Sequence, residues 1–147
     1  MTDRLLLDTH IALWLDSGDK QLRGATRARI DECWRGGGTI FLSAVSAWEL
    51  ALLADTGRIA LDVPAPEWIG RFLGRPGLAP APLTCRAAAR SYQLLPLEHR
   101  DPADRLLVAT AIELNCSLVT YDARIVRFAK RYGRQYDFAV EGLRRPA

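Results

Sequence analysis

The sequence predicts an α/β domain with a mainly parallel central sheet. Short apolar segments alternate along the chain with longer segments of helix-forming residues, which is the pattern of strand–helix units. Two of the apolar segments end at an aspartate that can cap the following helix. The chain has 147 residues, of which 49% are hydrophobic and 25% charged, as expected for one globular domain.

The first half of the chain predicts two strand–helix units. The apolar run at 4–8 (RLLLD) is typical of a buried strand, and a helix follows it to about residue 15. A second helix is expected over 24–35, where three glycines end it. The β-branched and aromatic run at 39–43 (TIFLS) predicts another strand, and good helix formers continue over 44–55.

The second half begins with a stretch that is rich in proline and then returns to regular elements. No internal repeat and no linker is visible, so we expect a single domain over 1–147, with a basic tail from about residue 130. The expected elements are a helix over 67–73, a strand near 78–83, helices over 85–94 and 102–114, a strand over 117–120, and a last helix from Asp122 to about Arg131, ended by Gly133.

Composition narrows the classes of function. The three cysteines are far apart and odd in number, which favours reduced thiols and a cytoplasmic protein. No secretory signal is visible, and no window reaches the ~18 apolar residues of a membrane span, so no membrane partner is expected. The net charge is only +3, but residues 123–147 carry seven basic and two acidic residues. This region is either a solvated helix face or a surface that steers a nucleic acid.

Four acidic residues stand out by their positions. Asp8 and Asp122 each follow a predicted strand and precede a helix, and the carboxyl ends of parallel strands share one edge of a sheet. Asp104 lies in the first turn of an otherwise apolar helix, three residues after the predicted N-cap Asp101. Glu49 lies in the body of its helix among Val, Trp and Leu side chains, where an unpaired charge is costly.

If the sheet is parallel, these four carboxylates converge. Two carboxylates ~5 Å apart repel by roughly 3 kcal/mol at an effective dielectric of about 20, so the cluster predicts a bound cation. Oxygen ligands favour Mg²⁺ or Mn²⁺ over zinc. Such a cation can activate water and neutralise a phosphate during phosphodiester hydrolysis. The rest of a nucleic-acid strand would be held by basic residues, for which the candidates are Arg100, Arg105, Arg124 and Arg127.

The motifs LLLDTH, SAWEL, DPADRLLVATA and SLVTYD, in this order and spacing, resemble the PIN domain, and more closely the VapC-type toxins of bacterial toxin–antitoxin pairs. The resemblance extends from Leu5 to about Ala129. It implies a three-layer α/β/α fold with a mainly parallel central sheet, and cleavage of RNA that depends on Mg²⁺ or Mn²⁺. The acidic site of the family, with two supporting hydroxyls, falls on Asp8, Glu49, Asp104, Asp122, Thr9 and Thr120.

This interpretation gives the acidic residues distinct roles. Asp8 and Asp104 would be the primary metal ligands, and Asp122 would complete the site. Glu49 would either bind the metal through water or act as a general base. Asp101 matches the capping position and not the acidic quartet.

The resemblance also implies partners. Toxins of this type usually form homodimers, and a small VapB-like antitoxin blocks the site. The side chains of Trp14, Trp48 and Trp68 would either line an apolar groove for the antitoxin helix or pack in the core. His10 and His99 are best interpreted as structural histidines.

Two other functions stay open on the sequence alone. A haloacid-dehalogenase-type phosphatase also begins with a strand that ends in Asp and uses Mg²⁺, but its chemistry needs a second Asp at the position of His10. A non-catalytic module that binds RNA or protein would use the aspartates only as helix caps, with Glu49 paired to Arg58.

Overall fold

The computed structural model describes residues 3–98 and 101–141, and within these ranges five strands alternate with seven helices. The strands are β1 (Arg4–Leu7), β2 (Thr39–Ser43), β3 (Leu78–Ala81), β4 (Ser117–Val119) and β5 (Ala139–Glu141). The helices are α1 (Thr9–Ser17), α2 (Gly24–Arg35), α3 (Ala44–Asp55), α4 (Ala65–Leu73), α5 (Cys85–Arg90), α6 (Pro102–Leu114) and α7 (Ala123–Tyr136).

The five strands form one sheet in the order β3-β2-β1-β4-β5, and every pairing is parallel. From β1 the chain moves outward to β2 and β3, and it then crosses back to place β4 on the other side of β1. The strand order therefore reverses between β1 and β4, which is where open parallel sheets bind their ligands. Pro80 lies in β3, at an edge of the sheet where a missing N–H is tolerated.

Both faces of the sheet are covered by helices, because alternate residues of the central strand pack in opposite directions. Leu5 and Leu7 of β1 join an apolar cluster with residues of α1, α2 and α4. Leu6 joins a second cluster with residues of α5, α6 and α7. All three leucines are fully buried. The predicted three-layer α/β/α fold with a parallel sheet is confirmed.

The last helix ends later than the sequence predicts, so the predicted end at Gly133 is wrong. Gly133 lies inside α7, which continues to Tyr136, and a left-handed Asp137 then reverses the chain. The glycine is there because a Cβ at this position would lie 2.6 Å from the carbonyl oxygen of Phe138. The N–H of Phe138 in turn donates to the carbonyl of Gly133.

Strand β5 follows this reversal and was not predicted. It pairs with β4, so residues 130–141, which the sequence assigned to a basic tail, lie in α7, the reversal and β5. Two other predicted elements are longer than observed, because α5 ends at Arg90 and β3 ends at Ala81. The remaining expected helices and strands are present with ends that agree within two residues.

The three cysteines are free thiols, with Cys33 and Cys116 buried and Cys85 exposed. Burial raises the pKa of the Cys33 thiol to about 11, so this group is an inert part of the core. Within residues 3–98 and 101–141, none of the helices combines the length and the apolar character needed to cross a membrane.

Candidate active site

The candidate site lies at the carboxyl edge of the sheet, where β1 and β4 end side by side. Asp8 follows β1 and caps α1, and Asp122 follows β4 and caps α7. Each strand delivers its carboxylate to the same edge because the two strands are parallel and adjacent. The convergence of Asp8 and Asp122 predicted from the sequence therefore follows from the sheet itself.

Thr120 connects these two aspartates. Its buried hydroxyl donates to Oδ2 of Asp8 at 2.7 Å and accepts the backbone N–H of Asp122 at 3.1 Å. The other oxygen of Asp8 accepts the N–H of Thr9 at 2.7 Å. Each oxygen of Asp8 thus accepts one of these hydrogen bonds and keeps a second lone pair that these donors do not use.

Glu49 enters the site from α3 and is held by Thr9. The hydroxyl of Thr9 donates to Oε1 of Glu49 at 2.5 Å and lies 3.0 Å from the hydroxyl oxygen of Ser46. Ser46 and Glu49 are one turn apart on α3, so both reach the first residue of α1. The partner of Glu49 is therefore Thr9 and not Arg58, the ion-pair partner that the sequence left open.

Asp104 comes from the first turn of α6. The carboxylate of Asp101 caps this helix by accepting the N–H of Ala103 at 2.9 Å, as predicted. Asp104 is thus not needed as the cap, and its side chain is partly buried beside the other acids. The start of α6 thus brings two carboxylates to the candidate site, with Asp101 exposed at its rim and Asp104 partly buried inside it.

Electrostatics link these carboxylates into one cluster. Burial and the negative charges of Asp8, Asp101, Glu49 and Asp122 together raise the pKa of Asp104 to about 8, and burial is the largest cause. Burial also raises the pKa of Asp8 and of Glu49, against the hydrogen bonds from Thr120 and Thr9. Raised carboxyl pKa values in a shared pocket indicate groups that need either protons or a cation.

The donor set suits a hard divalent cation, because every candidate ligand is a carboxylate oxygen. As the side chains lie, however, no three His, Cys, Asp or Glu residues of the described chain have the spacing of a formed metal centre. The hydrogen bonds of Asp8 leave lone pairs for a cation, so the chemistry of the residues fits Mg²⁺ or Mn²⁺.

Two polar residues at this edge were not predicted from the sequence. Ser46 is fully buried next to Thr9, and its position one turn before Glu49 was the available signal. Tyr121 lies between Thr120 and Asp122, and its hydroxyl lies 2.6 Å from that of Thr26 on α2. No pattern in the sequence indicated this second contact, because the two residues are far apart along the chain.

The arginines predicted to contact RNA fall into different environments. Arg124 and Arg127 are exposed on α7, whose first residue follows Asp122 directly. Arg105 donates instead to the carbonyls of Ser91 and Leu97, at 2.9 and 2.6 Å, and so holds the loop before α6. Its contact with RNA stays a prediction. Arg100 and His99 lie outside the described residues.

The three tryptophans proposed for an apolar groove also separate. Trp68 is only 2% exposed and stacks on Phe72, so its assignment to the groove is wrong and the core alternative holds. Trp48 is 60% exposed on α3, so core packing is wrong for it. Trp14 is partly buried, and the exposed His10 packs against its ring.

A doubly wound parallel sheet with an acidic cluster at its switch point defines the class, which is an α/β protein whose candidate ligand site consists of carboxylates at the carboxyl edge of the sheet. The sequence profile of the PIN domain matches residues 5–131. The chain belongs to the PIN-domain family. It is also 34% identical over 121 residues to Ribonuclease VapC22 of Mycobacterium tuberculosis (strain ATCC 25618 / H37Rv), and the alignment covers 82% of this chain and 88% of that protein.

Solved structures share the fold at low sequence identity. VapBC2 from Rickettsia felis, bound to a DNA fragment from their promoter, matches with a TM-score of 0.64 and 17% identity, covering 94% of this chain and 97% of that one. FitAcB from Neisseria gonorrhoeae matches with a TM-score of 0.60 and 19% identity, covering 92% and 95%. A toxin–antitoxin complex from Klebsiella pneumoniae matches with a TM-score of 0.58 and 17% identity, covering 92% and 96%.

Proposed function

We propose that this protein is a metal-dependent endoribonuclease and the toxin of a VapBC-type toxin–antitoxin pair. The observation that carries the proposal is the cluster of carboxylates at the switch point of a PIN domain. In addition to burial, which is the largest cause, the charges of Asp8 and Glu49 raise the pKa of Asp104, and the charge of Asp8 raises the pKa of Glu49. The 34% identity to a ribonuclease supports the same conclusion.

The residues that would hold the metal are Asp8, Asp104 and Asp122. When bound, Mg²⁺ or Mn²⁺ would supply an activated water and neutralise the charge of the phosphate. The chain's own part is to keep the carboxylates in position. The hydroxyl of Thr120 and the N–H of Thr9 hold both oxygens of Asp8, so the carboxylate is already ordered before the cation binds.

Glu49 would act beside the metal ligands, either through a bound water or as a general base. The hydroxyl of Thr9 fixes Oε1 of Glu49, which leaves Oε2 to accept a proton. Burial raises the pKa of Glu49, and this shift favours the proton acceptance that a general base requires.

The substrate strand would be held by the basic face of α7. Arg124 and Arg127 lie within two turns of Asp122, and exposed basic residues continue along the same helix as Lys130, Arg131 and Arg134. A positive surface beside the acidic cluster attracts the phosphates of a strand whose scissile bond lies at the carboxylates.

We also infer the partners of the family for this chain: a small VapB-like antitoxin that blocks the site, and a second copy of the chain in a homodimer. The solved structures with the same fold include VapBC2, FitAcB and a toxin–antitoxin complex, which supports an antitoxin partner. Reduced thiols on all three cysteines agree with a cytoplasmic location.

The test is cleavage of total and transfer RNA by the purified protein with Mn²⁺, with EDTA, and with Asp8→Ala and Asp104→Asn variants. We expect cutting only with Mn²⁺, and loss of cutting in both variants. Asp55→Asn is the matched control, because this carboxylate is exposed at the end of α3. Equal cutting by all variants would indicate a contaminating nuclease. Binding of RNA without metal-dependent cutting would favour the non-catalytic module.

A further inference from the structure

A cavity of about 700 Å³ opens at the amino edge of the sheet. Its lining includes Arg4, Ser117 and Ala139, which are the first residues of β1, β4 and β5, and the second half of α7 forms one side of it. Because the strands are parallel, this edge is opposite to the one where Asp8 and Asp122 lie. We call it the amino-edge cavity.

The amino-edge cavity has the size and the mixed lining of a small-molecule site. Such sites usually enclose about 300–1,000 Å³ and combine apolar walls with a few charged groups. Ala129 of α7 and Val140 of β5 supply apolar surface to the lining, and both are partly exposed. We call these two residues the apolar wall. A flat ring of a ligand can lie against it.

Positive charge is in excess around this cavity. Two aspartates line it together with four basic residues, which are Arg4, Lys130, Arg131 and Arg134. One of the aspartates, Asp3, is neutralised by Arg29, which donates to both of its oxygens at 2.7 and 3.0 Å. Within residues 3–98 and 101–141, none of the four basic residues forms an ion pair. Four cations thus surround Asp137, which favours an anionic ligand.

The helix dipole accounts for only part of this charge. Cations in the last turn of a helix complement its negative end, and Arg134 lies there. Lys130 precedes it by four residues, and like charges at this spacing destabilise a helix. Arg4 belongs to β1, so no helix dipole explains its position. A bound anion explains why two different elements bring positive charge to this cavity.

Arg4 is held in place before any ligand binds. Its guanidinium lies 5.2 Å from the centroid of the Phe41 ring, within the range of a cation–π contact. It also lies near Cys116 in the cavity lining: burial raises the pKa of that thiol, and the charge of Arg4 acts in the opposite direction. Arg4 is partly buried, so water screens its charge less than that of an exposed arginine.

We propose that the amino-edge cavity binds a nucleotide, with its phosphates on Arg4, Lys130 and Arg134 and its base against the apolar wall. A guanidinium offers two parallel N–H donors, which match the oxygens of a phosphate. Phosphate alone would leave most of the volume and the apolar wall unused, and the base fills them. This inference does not depend on the proposed ribonuclease activity, because the cavity lies at the other edge of the sheet.

The test is calorimetric titration of the purified protein with ADP, inorganic phosphate and adenosine, in EDTA so that no cation is held at the carboxylates. The variants are Arg4→Gln, Arg4→Lys and Ala139→Glu, the last of which gives an exposed residue of the lining a negative charge. One control is Arg35→Gln, an exposed arginine beside Asp31 at the end of α2. The other is Arg124→Gln, an exposed arginine near the carboxylates.

We expect the wild type to bind ADP more tightly than either inorganic phosphate or adenosine, because each of these keeps only half of the contacts. Arg4→Gln and Ala139→Glu should each weaken ADP binding by about tenfold, the usual scale for a hydrogen bond to a charged group. Arg4→Lys should lose less, because it keeps the charge. Both controls should match the wild type. With Mn²⁺, Arg4→Gln should cut RNA at the wild-type rate.

An absence of ADP binding by the wild type would overturn the inference. An equal loss in Arg35→Gln or Arg124→Gln would also overturn it, since ADP would then follow net charge or bind at the other edge. Equal affinities for ADP and inorganic phosphate would overturn the assignment of the apolar wall to a base.

Loss of both ADP binding and RNA cleavage in Arg4→Gln would assign the cavity to RNA and overturn the inference as well. If Arg4→Gln fails to fold, Ala139→Glu decides alone. Failure of the proposed function is recognised separately, because its test compares RNA cleavage by the wild type and Asp8→Ala and involves no ADP.

Discussion

At the scale of single residues, the hydroxyl of Thr120 holds two acidic residues of the candidate site in position. It is fully buried, and it bonds to Asp8 on one side and to the backbone of Asp122 on the other. The two aspartates belong to different strand–helix units, and this hydroxyl fixes them relative to each other. A change at Thr120 should therefore affect metal binding through Asp8 and Asp122 without removing a ligand.

We expect Thr120→Val to weaken Mn²⁺ binding by about tenfold to a hundredfold and to lower the free energy of unfolding by about 1–3 kcal/mol. Valine keeps the shape of threonine but leaves Asp8 and an N–H without their partner. Thr110→Val is the matched control, since that buried hydroxyl bonds only to the carbonyl of Leu106 within α6. Calorimetric titration with Mn²⁺ and urea unfolding measure both effects. Equal Mn²⁺ affinity in the two variants would contradict this role of Thr120.

Asp104 makes the free energy of unfolding of the metal-free protein depend on pH. Its pKa in the folded state is about 8, above the ordinary value of 3.8, so the folded state binds more protons than the unfolded state between these values. The free energy of unfolding therefore falls as pH rises from about 4 to about 8. In EDTA above about pH 8, Asp104→Asn should be more stable than the wild type by on the order of 2 kcal/mol, a figure reduced from the full shift because the carboxyl is partly exposed.

The control for this pH dependence is a carboxylate whose shift has the opposite sign. Asp62 bonds to Arg71, and this hydrogen bond lowers its pKa, so Asp62→Asn should not stabilise the protein at high pH. Urea unfolding in EDTA at several pH values measures both variants. If the free energy of unfolding of Asp104→Asn equals that of the wild type at every pH, the pH dependence does not come from a raised pKa of Asp104.

At the scale of elements, two glycines in helices have opposite surroundings. A Cβ at Gly133 of α7 would lie 2.6 Å from the carbonyl oxygen of Phe138, whereas a Cβ at Gly70 of α4 would meet nothing within 4 Å. Gly133→Ala should cost about 1–3 kcal/mol, because the backbone after α7 must shift. Gly70→Ala should stabilise the protein by about 0.5–1 kcal/mol through helix propensity. Thermal unfolding of both variants checks this prediction, and it fails if both changes have the same sign.

The same region shows how far the sequence could predict the fold. Local patterns were sufficient for the central strands, because a buried parallel strand is an apolar run that ends in a helix cap. They were insufficient for Gly133. A glycine in a helical pattern usually indicates the end of the helix. Here the glycine is needed inside the helix because a side chain would collide with the backbone of Phe138. They missed β5 because a three-residue edge strand takes its structure from pairing with β4 and not from its own residues.

The candidate site was predictable to a similar degree. The positions of Asp8, Asp104 and Asp122 follow from strand ends and helix caps, which the sequence displays directly. The contact of Thr9 with Glu49 could not be predicted from spacing, since it joins α1 to α3 across the fold.

At the scale of the whole molecule, charge is divided between an acidic site and a basic helix beside it. The exposed face of α7 carries Arg124 and Arg127 near the site and further basic residues beyond them. An acidic cluster alone would repel a phosphate backbone, so the positive face has to supply the attraction. If the protein binds RNA as proposed, this binding should depend on salt through the basic face of α7.

We expect Arg124→Gln and Arg127→Gln each to reduce the slope of log affinity against log salt concentration by about 0.7 for single-stranded RNA, because each neutralises one phosphate contact. The control is Arg35→Gln at the end of α2, an exposed arginine beside Asp31. Anisotropy titrations in EDTA at several salt concentrations measure the slopes. If Arg35→Gln lowers the slope as much as Arg124→Gln does, RNA binding depends on the net charge of the protein and not on the basic face of α7.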